Sequence, residues 1–219
     1  MVSTTPPRRP RADVARNIDR ILVAARAVFA EHGPAAQLSA VARDAGVGEA
    51  TLYRHFAGRD ELIHAVLARS FDERVDPVVE AALSTADPWQ AMVEMLEVVL
   101  EVAAAEQRVI AAATSPDVFL GWASRYFDAF GTVLRRAQDA GVVRADLVAA
   151  DLPRLTTMLI GAQRLGGAHD AMFLGMGSAG RQSSDGWRRY LALILDAMRP
   201  AAATALPPFD PSAATEVHH

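Results

Sequence analysis

The sequence predicts an all-α protein that consists of a small N-terminal head with a helix-turn-helix and a larger C-terminal helical body. Apolar residues recur at helical spacing along much of the 219-residue chain. No segment shows the alternation of apolar and polar residues that is typical of a half-buried strand. Prolines at first helical positions and single glycines mark where the predicted helices begin and end.

The head is predicted over residues 12–73, after a tail of residues 1–11 that is rich in Pro and Arg and predicted to be disordered. The three arginines of that region, Arg8, Arg9 and Arg11, form either a solvated tail or an arm that reaches DNA. The first helix has one apolar face and ends at Gly33-Pro34. That face contains Ile18, Ile21, Leu22, Ala25 and Phe29.

Residues 37–56 have the spacing of a helix-turn-helix, in which two short helices cross at a steep angle. The small Ala42 stands where the helices cross, and Gly46 supplies the positive φ that the turn requires. Four apolar residues are spaced to pin both helices to the first helix of the head: Val41, Val47, Leu52 and Phe56.

The second helix of this motif is unusually rich in hydrogen-bond donors for its length. Thr51, Tyr53, Arg54 and His55 fall within a segment of eight residues. A plain helical hairpin is the structural alternative, but so many polar groups on so short a helix favour contact with nucleic acid.

The body is predicted over residues 74–199, followed by a disordered tail rich in Pro and Ala over 200–219. Asp87-Pro88 begins a helix that runs to about residue 105 and is apolar nearly all round, which predicts a central position. Ser115-Pro116-Asp117 begins another, which Gly141 ends. Two more helices are predicted over 150–165 and 187–198, separated by a Gly- and Ser-rich loop.

Charge is uneven along the chain, whose formal net charge is −4. Residues 1–66 contain nine arginines against seven acidic residues, whereas the remainder contains 13 basic and 19 acidic residues. A slightly basic head on an acidic body allows one end to approach phosphate. The absence of cysteine excludes disulfides and thiolate metal sites. With no signal-like or membrane-spanning segment, we expect a cytoplasmic, nucleoid-associated protein.

Motifs that are typical of other functions lack the neighbouring elements or the residue spacing that those functions require. Gly175–Gly180 matches the dinucleotide pattern G-x-G-x-x-G, but no strand precedes it. The histidines lack the spacing of a catalytic metal site, and His169-Asp170 is best read as a solvated pair. No nucleophile elbow is present. The sequence therefore predicts neither an enzyme nor a cofactor or metal.

Four segments, in order and at matching spacing, resemble the TetR family of bacterial repressors: Val28–Gly33, Val41–Val47, Thr51–Phe56 and Arg59–Leu62. The resemblance covers about residues 14–74. It implies a homodimer that binds operator DNA and is released by a small-molecule effector. The body resembles the family only in the number and length of its helices.

The resemblance also implies roles for individual residues. Glu49, Ala50 and Arg54 would face base edges in the major groove, beside Gly48. Phosphate contacts would come from Thr51, Tyr53, His55 and Arg59, and Ser39 is placed for a backbone or base contact. The chain departs from the family pattern at two positions: Gln37 stands where Thr or Ser often caps the helix, and Glu49 where Lys or a neutral residue is common.

The large, flexible apolar side chains of the body are expected to lie mainly in its hydrophobic core. The resemblance to the family implies that some of them also line a ligand pocket. The pocket candidates are Trp89, Met92, Met95, Phe119, Trp122, Tyr126, Met158 and Gln163. Apolar stripes on the last two helices predict the dimer interface. Those stripes contain Leu152, Leu155, Leu159, Tyr190, Leu191, Ile194, Leu195 and Met198.

Two further functions remain open at this point. The first alternative is a ligand-independent DNA-binding regulator, whose body serves only dimerisation. The second is a helical small-molecule-binding protein whose head no longer binds DNA. A cavity in the body and the effect of substituting Tyr53 and Arg54 distinguish them.

Overall fold

The computed structural model describes residues 10–115, 120–161, 186–201 and 204–207, and this part of the chain contains helices and no strand. None of its helices is long and apolar enough to cross a membrane. The helices are α1 (Pro10–His32), a 3-10 turn (Gly33–Ala35), α2 (Leu38–Asp44), α3 (Glu49–His55), α4 (Arg59–Arg74), α5 (Asp76–Ser84), α6 (Pro88–Ala105), α7 (Gln107–Ala111), α8 (Leu120–Asp139), α9 (residues 151–161) and α10 (Gly186–Ala197).

The chain divides into two compact units, which we call the head and the body from here on. The head consists of Met1–Val75 together with Ala105–Ser124, and the body consists of Asp76–Ala104 together with Arg125–His219. Residues 105–124 fall within the predicted body. The α7 segment packs with the head instead, because Val109 and Ala112 are buried in the apolar core of the head.

The core of the head forms around α1. Ile21, Ala25 and Phe29 are fully buried, and Ile18 and Leu22 pack against them, which confirms the predicted apolar face. Four further fully buried side chains come from α2, α3 and α4: Val41, Leu52, Leu62 and Ile63. The two short helices of the motif are therefore fixed to longer ones.

The body forms around α6, whose predicted central position is confirmed. Met92, Met95 and Leu100 are fully buried. The carboxylate of Asp87 accepts hydrogen bonds from the backbone N–H groups of Trp89 (2.9 Å) and Gln90 (3.1 Å), so it caps α6 as predicted.

The helix α5 was not predicted from the sequence as an element separate from α4. Pro77, at the start of α5, has no backbone N–H and cannot continue the hydrogen-bond ladder of α4. The guanidinium of Arg136 donates to the carbonyls of Ala82 and Leu83, both at 3.1 Å, and to that of Thr85. These bonds satisfy carbonyls at the end of α5.

Several predictions concern residues outside the described part of the chain. They are the arm residues Arg8 and Arg9, residues 166–185 of the predicted loop with its glycine pattern and His169-Asp170, and residues 208–219 of the tail. The prediction that Gly141 ends the helix α8 is confirmed. Gly141 has φ 68°, and its N–H donates to the carbonyl of Gln138 (2.9 Å).

Candidate nucleic-acid interface

The turn between α2 and α3 has the geometry that the sequence predicts. Gly46 has φ 64°, a conformation that side chains disfavour. Its N–H donates to the carbonyl of Arg43 (3.0 Å), and the N–H of Val47 donates to that of Ala42 (3.0 Å). The last carbonyls of α2 are thus satisfied within the turn, which redirects the chain into α3.

Arg20 of α1 holds this turn from outside. Its Nε donates to the carbonyl of Ala45 and its Nη2 to the carbonyl of Gly46, each at 2.9 Å. A cation at the C-terminal end of α2 also interacts favourably with the helix dipole. The sequence analysis missed Arg20, because its partners lie 25 and 26 residues further along the chain.

The inner side of the motif is closely packed. Val41 and Leu52 are fully buried, and Ala42, Ala45 and Phe56 are buried as well. Gln37 caps α2 in extended conformation without a side-chain hydrogen bond, as expected for a weak cap. Gly48 precedes α3 and likewise offers no side-chain cap.

Most of the predicted DNA-binding residues of the motif are exposed. Tyr53 is 52% exposed, and Arg54 makes no ion pair or hydrogen bond with any described residue. The exposed predicted residues are Gln37, Ser39, Gly48, Glu49, Ala50, Tyr53 and Arg54. Because Leu52 is buried on the opposite side, α3 presents its polar side chains outward.

Thr51 and His55 are less accessible, since both are half-buried. The Nε2 of His55 is buried and has no hydrogen-bond partner among the described residues. Because Nε2 is buried, it cannot contact a phosphate in this arrangement. The predicted phosphate contact of His55 would therefore have to be made by Nδ1.

Arg59 does not point outward as the predicted phosphate contact requires. Its guanidinium donates to the carbonyl of Ala36 and, at 3.4 Å each, to those of Pro34 and Ala112, and it lies 5.5 Å from the centre of the Phe29 ring. The side chain is half-buried. Arg59 therefore stabilises the interior of the head, because its donors are engaged by backbone carbonyls.

Its neighbour Asp60 makes a second contact with the same distant segment. The carboxylate accepts hydrogen bonds from the backbone N–H of Thr114 (2.8 Å) and from the Thr114 hydroxyl. These two bonds lower the pKa of Asp60 below its ordinary value. The sequence contained no signal for this pair, which is 54 residues apart.

The predicted pocket residues of the body have different environments. Met92 and Met95 are fully buried, and the buried Tyr126 hydroxyl donates to the Met95 carbonyl (2.8 Å). Burial raises the pKa of Tyr126. Trp89 is half-buried, with the Arg199 guanidinium 3.4 Å from its ring centre.

Met158 is 66% exposed, which places it on the surface of the body rather than in its core. Phe119, Gln163 and the Trp122 side chain lie outside the described residues. A groove of about 420 Å³ in the body is lined by residues of 138–146 and 200–205, and it shares no residue with the predicted pocket.

The predicted dimer stripes divide by burial. Leu152, Leu159, Leu191 and Met198 are buried within the single chain, so their side chains fill the core of the body. Leu155, Ile194 and Leu195 are half-buried, and Tyr190 is 51% exposed. The stripes missed Leu193, which is 58% exposed. Together with Met158, these residues leave apolar surface on α9 and α10.

No group of three histidine, aspartate or glutamate side chains that could hold a metal ion occurs among the described residues.

Comparison with known proteins identifies the head. The family model described as "Bacterial regulatory proteins, tetR family" matches residues 21–66, which run from the middle of α1 into α4 and include the whole motif. Residues 21–66 of the head are therefore similar to the TetR family. The resemblance of the four sequence segments is thereby confirmed.

A curated relative of the chain is an HTH-type transcriptional activator, FasR, from Mycolicibacterium smegmatis. It is 40% identical over 72 residues, which are 32% of this chain and 33% of the relative. The chain thus aligns with about a third of the length of this curated protein.

Solved TetR-family structures resemble the chain over most of its length. A TetR transcriptional regulator from Streptomyces coelicolor is 27% identical, with 84% of this chain and 99% of that chain covered and a TM-score of 0.56. A second, from Mycobacterium vanbaalenii, is also 27% identical, with coverages of 86% and 98% and a TM-score of 0.54. The predicted all-α architecture, a helix-turn-helix head followed by a helical body, is confirmed.

Proposed function

We propose that the chain is a homodimeric, sequence-specific DNA-binding transcriptional regulator that a small-molecule effector releases from its operator. The observation that carries the proposal is the outer surface of α3. Glu49, Tyr53 and Arg54 are exposed there, while Leu52 fixes the other side of the helix in the core. A short helix held in this way is suited to enter a major groove.

Residues on this surface have separable tasks. Arg54 offers two parallel N–H donors, which match the O6 and N7 acceptors of guanine. Glu49 accepts from the amino group of cytosine and repels phosphate, so it favours sequence discrimination over general affinity. Tyr53 and Ser39 supply hydroxyl groups for the DNA backbone.

Dimerisation supplies the second half-site. Two recognition helices must meet successive major grooves, roughly 34 Å apart. The exposed Met158, Tyr190 and Leu193, with the half-buried residues beside them, are the apolar surface of the body that a partner copy would cover. An interface of two helices from each protomer forms a four-helix bundle.

Regulation requires that the effector and DNA prefer different arrangements of the dimer. An effector that binds more tightly to a form with wrongly spaced heads shifts the population away from DNA. The coupling is reciprocal, so operator DNA weakens effector binding by the same factor. One curated relative of the chain is named an activator. Expression of the regulated gene with and without the protein distinguishes repression from activation.

Genomic footprinting of the cytoplasmic, nucleoid-bound protein tests DNA binding directly. We expect the intact chain to protect sites made of two half-sites, and the double variant Tyr53→Ala/Arg54→Ala to lose them while it remains folded. Unchanged protection would contradict the assignment of α3. An absence of protected sites for the intact chain would favour a small-molecule-binding protein without DNA-binding activity.

Effector release is tested on the protected sequence. Metabolites of the neighbouring genes are the candidates, and we expect one of them to raise the dissociation constant of the protein–DNA complex. If every compound that binds the body leaves operator affinity unchanged, the chain is a ligand-independent regulator, which is the second candidate function.

A further inference from the structure

Glu106 is the one charged side chain that is buried among the described residues, with 1% of its surface exposed. Its Oε1 lies 2.6 Å from Nη2 of Arg26 and accepts a hydrogen bond from the hydroxyl of the buried Ser70 at 2.9 Å. An isolated buried carboxylate is costly, whereas one with a cation and a hydroxyl at the same oxygen is stabilised by charge-assisted bonds.

The three groups come from three parts of the head. Arg26 lies on α1, Ser70 lies on α4, and Glu106 immediately precedes α7. The carboxylate therefore bridges α1 and α4 from a segment that is 36 residues beyond Ser70 in the chain.

The segment from Glu106 to Thr114 is held at several points along its length. The Arg108 guanidinium donates to the Glu31 carbonyl at 2.5 Å, and Val109 is buried in the core of the head. At the far end, Arg59 binds the Ala112 carbonyl and Asp60 binds Thr114. Both ends are thus fixed to the helices that flank the DNA-binding motif.

Those helices determine where α3 lies. Arg20 of α1 holds the turn before α3 through the carbonyls of Ala45 and Gly46. At its other end, α3 is followed by α4 after only Phe56–Gly58. A change in the position of α1 relative to α4 must therefore move one end of α3 or the other.

We propose that Glu106 is a positioning residue for DNA binding, which fixes α1 against α4 through Arg26 and Ser70 and so sets the orientation of α3. The inference rests on the proposed function and names a residue outside the helix-turn-helix on which that function depends. Glu106 itself does not contact DNA in this account.

The energetics of the pair predict an unequal effect of removing either partner. Arg26 is about half exposed (49%), so it regains water when Glu106 is neutralised. Glu106 cannot do so, and Arg26→Gln leaves a buried carboxylate with the Ser70 hydroxyl alone. Removing the Arg26 cation should therefore weaken operator binding more than removing the Glu106 anion. Removing both charges should restore part of the affinity that Arg26→Gln loses.

The experiment uses the full chain and a duplex that contains the footprinted site. Variants Arg26→Gln, Glu106→Gln and the double variant are compared with Glu73→Gln, which removes a carboxylate from an exposed ion pair with Arg69 on the same face of the head. Operator affinity, thermal unfolding and hydrogen exchange at the Gly46 and Val47 amides are measured for each.

We expect Arg26→Gln to weaken operator binding at least about tenfold, since an unpaired buried charge is strongly destabilising. Glu106→Gln should weaken it less, and the double variant should bind more tightly than Arg26→Gln. Exchange at Gly46 and Val47 should rise in the same order at temperatures well below unfolding. Glu73→Gln should match the parent protein in all three measurements.

Wild-type affinity and exchange in folded Glu106→Gln and Arg26→Gln would overturn the proposal, as would a double variant no better than Arg26→Gln. If Arg26→Gln does not fold, Glu106→Gln decides the matter, because a purely structural role lowers thermal stability without changing operator affinity below the transition. If the parent protein protects no DNA, the proposed function fails separately, and unchanged exchange at Gly46 and Val47 then overturns the positioning role.

Discussion

At the scale of single residues, three charged side chains of the head bind backbone or side-chain groups far from them in the sequence. Arg20 holds Ala45 and Gly46, Arg59 holds Ala36 and Ala112, and Asp60 holds Thr114. Of the three, only Arg59 was predicted from the sequence to contact DNA. In the structure all three have partners within the head. Arg54 of α3, in contrast, is exposed.

Asp60 makes stability depend on pH. Its pKa is lowered in the folded state by the two bonds from Thr114, so it contributes stability above the ordinary aspartate value of 3.8. That contribution is lost as the pH falls through the lower, folded-state pKa. We expect Asp60→Asn to lower the melting temperature near neutral pH and to have little effect in strong acid.

Thermal unfolding of the parent and of Asp60→Asn across this acid range checks the sign. Because Asp60 is only half-buried, the difference should be small and should shrink in high salt. A difference that grows as the pH falls would contradict the assignment.

Gly46 is the one position in the motif where positive φ is required. Gly46→Ala should lower the free energy of unfolding by about 1–2 kcal/mol, because a Cβ disfavours that conformation. Gly48→Ala is the matched control, since Gly48 has φ −73° and open space around it. Denaturant unfolding of both variants gives the comparison, and equal losses would show that φ is not the cause.

At the scale of elements, the periodicity of apolar residues predicted α1, α2, α3 and α6 well. It could not reveal α7, because a five-residue helix offers too few positions for a pattern. Nor could it say what covers an apolar face. Leu152 and Leu191 belong to stripes that look like an interface, and yet both are buried within one chain.

The Asp87 cap of α6 should make a measurable contribution to the free energy of unfolding. Asp87→Ala removes the acceptor for two N–H groups and should cost about 1 kcal/mol of unfolding free energy. Asp87→Asn keeps an oxygen at the same place and should cost much less. Chemical denaturation distinguishes the two variants, and an equally large loss for Asp87→Asn would show that capping is not the contribution of Asp87.

At the scale of the whole molecule, the proposed function requires two copies of the chain. Leu193→Glu places a charge on exposed apolar surface of α10, and a symmetric dimer contains it twice. We expect the dimer dissociation constant to rise about a hundredfold, with the folded monomer retained.

Leu83→Glu is the control for that substitution, because Leu83 is an exposed leucine on α5, away from the predicted stripes. Sedimentation velocity as a function of concentration separates dimer from monomer for each variant. A Leu193→Glu protein that stays dimeric at the concentrations where Leu83→Glu does would place the interface elsewhere.

At this scale, the sequence could predict only part of the proposed interface with DNA. The outward residues of α3 follow from the motif, since Leu52 fixes which side of the helix is buried. The inward turn of Arg59 depends on Ala112, a residue that no local pattern connects to it. The buried side of α3 was therefore predictable from the motif, whereas the orientation of Arg59 was not.

The central claim is that the outer surface of α3 reads a DNA sequence, and Arg54→Ala tests it most directly. Affinity is measured for the footprinted duplex and for a scrambled duplex over a range of salt concentrations, with Arg16→Ala as the exposed-arginine control on α1. We predict that Arg54→Ala loses about 1–3 kcal/mol of binding free energy for the footprinted duplex. Its affinity for the scrambled duplex should change much less. Equal affinities of Arg54→Ala and the parent protein for the footprinted duplex would contradict the claim.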